Sequence, residues 1–92
     1  MQTNVDDLSA AVKEFETALP DWWWSVGHCS LTRDASCGPD LNGDDAYLLK
    51  LPNNTVFDEG FHCDDPNGTL ATSLRNVMQQ GLEAKVKFAE VA

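Results

Sequence analysis

The chain has 92 residues, 42% of them apolar, with 15 Asp and Glu against six Lys and Arg, for a formal charge of −9. This length and apolar share predict one domain spanning 1–92 around a single core, and they exclude a disordered chain. The charge repels phosphate backbones and anionic lipid, and the bases (Lys13, Arg33, Lys50, Arg75, Lys85, Lys87) form no patch, which excludes direct binding of nucleic acid or a membrane surface. No run approaches the roughly 20 apolar residues that a membrane helix requires. The opening "MQTNVDDLSAAVKEF" carries acids where an export signal has a basic head, so a cytoplasmic location is expected. Three cysteines, Cys29, Cys37 and Cys63, are then free thiols rather than a disulfide framework.

Val5, Leu8, Val12, Phe15 and Leu19 follow a 3-4-3-4 spacing that lays one apolar stripe along a helix. Asn4 is the expected N-cap, Asp6 and Asp7 suit the first turn, and Pro20 ends the helix. Three segments rich in aromatic and branched residues follow at 22–32, 46–51 and 55–63, each bounded by Gly, Pro, Asn or Asp, and read as strands. The intervening 33–45, "RDASCGPDLNGDD", reads as a long polar loop, and 52–54 as a hairpin connection. The helical period returns with Leu70, Leu74, Val77, Met78 and Leu82, capped by Asp65 or Thr69, with Val86 the next core contact. Gly81 lies near the inner face of this helix, where it costs about 1 kcal/mol unless close packing recovers it.

The order is therefore α-β-β-β-α, an α+β fold with a three-stranded antiparallel sheet. Trp22 and Trp24 point to one side of the first strand and Trp23 to the other, so both faces need cover. The economical arrangement is an α/β/α sandwich with the helices on opposite faces. The alternative puts both helices on one face and leaves an apolar face for a partner or a second copy.

The Trp run at 22–24, the polar loop with small and Pro residues, and "GTLATSLRNVMQQGLEAK" from Gly68 resemble the small phage and prophage proteins of the phage ABA sandwich type. The resemblance implies an α/β/α sandwich and a phage-linked origin, and it transfers no functional residue. The same element order is that of double-stranded-RNA-binding domains. Those place lysines at the start of the last helix, where this chain has "DDPNGTLATSLR", so that activity is rejected.

His28, Cys29, Cys37, His62 and Cys63 are the soft-ligand residues suited to tetrahedral zinc, although their spacing matches no common zinc module. Neighbours such as His28 and Cys29 face opposite sides of a strand, so only one of each pair could join one site. The same residues offer a Cys nucleophile with a His base. Their acidic surroundings oppose thiolate formation, so a non-enzymatic protein is expected. "DLNGDD" at 40–45 alternates like a calcium loop but lacks Gly at the sixth position and Glu at the twelfth, and reads as a solvated turn.

From Asp34 to Asp65 there are eight acids and one base, Lys50. The expected function is protein binding, with a basic host protein as partner, through Trp23 and the acids Asp40, Asp44, Asp45, Asp58, Glu59, Asp64 and Asp65. The competing expectations are a zinc module built on the His/Cys set and a structural subunit that dimerises through its sheet face.

Overall fold

The computed structural model describes residues 5–28, 33–50, 60–65 and 68–91. The elements run α1 (Val5–Ala18), β1 (Trp23–His28), β2 (Arg33–Gly38), a 3-10 helix (Ala46–Lys50), β3 (Phe61–Asp65) and α2 (Leu70–Val91). The α-β-β-β-α order and the α+β class hold. The predicted N-cap Asn4 and the connection at 52–54 lie outside the described residues.

Of the predicted stripe on α1, Phe15 and Leu19 are buried and Leu8 and Val12 half-buried, with Ala11 buried beside them; the Val5 side chain lies outside the described residues. Pro20 has no N–H to continue the helix. Asp21 follows with φ 69°, the left-handed turn that a short polar side chain tolerates, and directs the chain into β1. At the other end of the chain, Thr69 Oγ1 accepts the backbone N–H of Thr72 at 3.1 Å, so Thr69 is the N-cap of α2.

The strands form one antiparallel sheet in the order β1-β2-β3. Two of them differ from the sequence expectation. The central strand is 33–38, inside the predicted polar loop, and the predicted strand at 46–51 is a 3-10 helix through Lys50. "RDASCG" carries no branched or aromatic residue, the usual mark of a strand. It is a strand because small Ala35 and Cys37 let α2 approach the sheet closely, and both are buried. In "AYLLK" the backbone instead turns tightly, with Ala46 N–H donating to Gly43 O and Leu48 N–H to Asp45 O, and Leu48 is buried. The third strand starts at Phe61; residues 55–59 lie outside the described residues.

Register fixes two faces. Trp24–Cys37–Phe61 and Val26–Ala35–Cys63 align on the inner face; Trp23–Gly38, Ser25–Ser36–His62 and Gly27–Asp34–Asp64 align on the outer one. α2 covers the inner face: Cys37 Sγ donates to Val77 O at 3.4 Å and Asn76 Nδ2 donates to Cys63 Sγ at 3.7 Å. Among the described residues α1 packs on α2 and on no strand, so the two helices do not flank the sheet. The outer face explains why. Serines, a histidine and two aspartates give the apolar stripe of α1 nothing to bury against.

Along α2 the buried positions among the described residues are Ala71, Ser73, Leu74, Val77, Gly81 and Ala84. Val86, expected as the next core contact, is 57% exposed because it falls two residues beyond Ala84, off that stripe. Arg75 ties the two helices together: Nη2 lies 2.7 Å from Glu14 Oε2 and Nη1 lies 3.2 Å from Asp7 Oδ1.

Candidate functional site

The three tryptophans have three different surroundings. Trp22, just before β1, is buried; its ring stacks on Phe61 with centroids 6.2 Å apart, and its Nε1–H donates to Asp45 Oδ2 at 2.8 Å. Lys85 Nζ meets the same oxygen at 3.2 Å. Trp24 is half-buried against the core. Trp23 is 41% exposed on the outer face, the position alternation predicts for it.

The backbone holds Trp23 in place. A Cβ at Gly38 would lie 2.7 Å from its indole, and one at Gly60 would lie 2.9 Å from Trp23 Cζ2. Gly60 also has φ +91°, which a side chain would strain, and a Cβ there would collide with Cys37 O. The indole thus lies across two glycines, with one surface fixed and the other accessible.

Beside Trp23 opens a groove of about 670 Å³, lined by Glu16, Asp21, Asp40 and Leu41 among others, with no Lys or Arg among its described lining residues. Leu41 is largely exposed. Asp40 sits here because "PDLNG" forms a tight turn: its Oδ1 accepts Asn42 N–H at 3.0 Å and its carbonyl accepts Gly43 N–H at 3.0 Å. This is the solvated turn expected of 40–45.

The other predicted docking acids divide. Asp44 is exposed, whereas Asp45 is taken up by Trp22 and Lys85. Asp64 faces outward next to His62, with Oδ1 3.2 Å from His62 Nε2. Asp65 is described only as a strand position, and Asp58 and Glu59 lie outside the described residues. Glu16 and Asp21 are groove residues that sequence reasoning missed, since they flank the helix stop rather than the 34–65 acid run.

The predicted His/Cys cluster does not assemble among the described residues. Cys37 and Cys63 face α2 while His62 faces the opposite side of the sheet. Cys29 lies outside the described residues, and His28 is described only as the end of β1. Cys37 is fully buried, and burial pushes its thiol up to about 12. It fills space as a small apolar residue. The set of potential ligands that does converge is Asp34, His62 and Asp64 on the outer face, whose ligand atoms all lie within 4.8 Å of one another. Asp34 could not be placed from sequence while 33–45 read as a loop.

No helix among the described residues is long and apolar enough to cross a membrane. Comparison with protein families, curated proteins and solved structures yields no match.

Proposed function

We propose that the domain is a non-enzymatic binding module that takes a basic, partly apolar peptide segment of a protein partner into the groove beside Trp23. The observation that carries this reading is a rigid, exposed indole flanked by Glu16, Asp21 and Asp40 with no base among the described lining residues. Lys or Arg side chains gain from the carboxylates and from the indole face, and an adjacent aliphatic residue finds Leu41. An aromatic that is already immobile loses little freedom on binding, which is the usual property of an interface anchor. The outer face beyond Trp23 is polar and bears Asp34 and Asp64, which favours a basic partner over a second copy of this acidic chain. A cytoplasmic, phage-encoded protein directed at a basic host factor belongs to the same proposal.

The test is titration with short peptides alternating Lys or Arg with Leu, followed by the Trp23 indole N–H resonance. Binding that shifts this resonance, weakens with salt and falls at least about tenfold in Trp23→Ala is expected. Gly38→Ala should weaken binding as well, by displacing the indole from its bed. If the peptides leave the Trp23 resonance unmoved, or bind Trp23→Ala equally well, the groove is not the site.

A further inference from the structure

Asp34 and Asp64 stand directly opposite each other on β2 and β3, facing outward. Like charges at such a pair repel. The fold nevertheless keeps both, and it buries Oδ1 of Asp34 with no hydrogen-bond partner among the described residues. An anionic oxygen withdrawn from water without a partner is unfavourable, and a bound ion is one way a native structure satisfies it. His62 is two residues from Asp64 on the same strand, so its imidazole reaches the same side, 3.2 Å from Asp64 Oδ1.

We propose that Asp34, His62 and Asp64 bind one divalent transition-metal ion of the zinc type on the outer face of the sheet. The ligand atoms already lie within 4.8 Å of one another, and they stand on two hydrogen-bonded strands whose ladder sets their spacing. An imidazole with two carboxylates selects zinc-like ions over calcium or magnesium, which prefer oxygen donors alone. A cation here relieves the Asp34–Asp64 repulsion and gives the buried oxygen a partner. Three protein ligands leave at least one coordination position toward solvent. The site uses neither Cys37 nor Cys63, which face α2.

The experiment is zinc titration of the chelator-treated 92-residue chain, read by calorimetry and native mass spectrometry, with cobalt substituted for its visible spectrum. One ion per chain is expected, with a rise in melting temperature. His62→Ala and Asp34→Asn should each weaken uptake more than about tenfold, since loss of an outer-shell partner alone has that effect. The side chains of His62 and Asp64 are 55% and 59% exposed, so His62→Ala and Asp64→Asn should fold normally. Asp34→Asn supplies a second readout: with the like-charge pair gone, the metal-free protein should melt no lower than the parent, and zinc should no longer raise it. Cobalt bound by nitrogen and oxygen gives weak visible bands without thiolate charge transfer. Absence of zinc uptake, undiminished uptake by His62→Ala, or a thiolate charge-transfer band would each overturn the assignment.

Discussion

Gly81 of α2 lies against the ring of Trp22: a Cβ on Gly81 would come within 2.9 Å of Trp22 Cζ3 and 3.0 Å of Leu19 Cδ1. Helix propensity alone favours alanine there by about 1 kcal/mol. Trp22 cannot yield easily, because its ring stacks on Phe61 and its nitrogen is held by Asp45. Gly81→Ala should therefore destabilise the fold by about 1–2 kcal/mol net, as overpacking of a filled core does. Urea unfolding measures this through the transition midpoint. A higher midpoint would mean that the ring has room to move.

The clamp between the helices gives a pH signature. Hydrogen bonding from the Arg75 guanidinium holds the Glu14 carboxyl below the ordinary carboxylate range. A carboxyl depressed in the folded state adds stability that is complete above its unfolded value, about 4.3, and is lost as pH falls through the folded one. Stability should thus decline below roughly pH 4.5, and Arg75→Ala should flatten that decline. Carbon-detected titration of Glu14 in both proteins is the check; an unchanged Glu14 midpoint in Arg75→Ala would refute it.

Cys37 predicts the opposite limb. Its thiol is raised to about 12 by burial, so the neutral form favours the folded state. That contribution is complete below the unfolded value of about 8.5 and is lost as pH rises toward 12. At pH 8 in native conditions Cys37 should resist iodoacetamide for as long as the protein stays folded, and react promptly in denaturant. Mass mapping of the alkylated peptide decides it. Prompt native labelling of Cys37 would show that α2 opens readily from the sheet.

The helices were legible because their signals are local. Apolar residues at helical spacing, a proline stop and a Thr69 cap act over three or four positions, and Leu8, Val12, Phe15, Leu19, Pro20 and Thr69 function as read. Close packing at Gly81 was legible too, as the condition under which a helical glycine is tolerated. The central strand was not, because its small inward residues answer to α2, more than 30 positions away in sequence. "AYLLK" misled for the reverse reason: its composition suits a strand, but a single buried residue, Leu48, satisfies the core from a tight turn.

The same displacement hid the candidate sites. With 33–38 taken as a loop, Asp34 had no fixed side and could not be matched to His62 and Asp64. Ser36 and Gly38, which lie on the same segment and help make the outer face polar and seat Trp23, were equally unplaced. Trp23 itself was legible, because alternation against Trp22 and Trp24 requires nothing beyond its own strand.

Among the described elements α2 contacts α1, all three strands and the 3-10 helix, whereas α1 contacts only α2. It is also the last of these elements to leave the ribosome. Until it emerges, the apolar sides of α1 and of the sheet have no common surface to close upon, so the nascent chain holds most of its future core exposed. Assembly is then a late, all-at-once event rather than a stepwise one from the N-terminus. A stop codon anywhere before Leu74 would release a chain whose parts are present but have no centre to gather around.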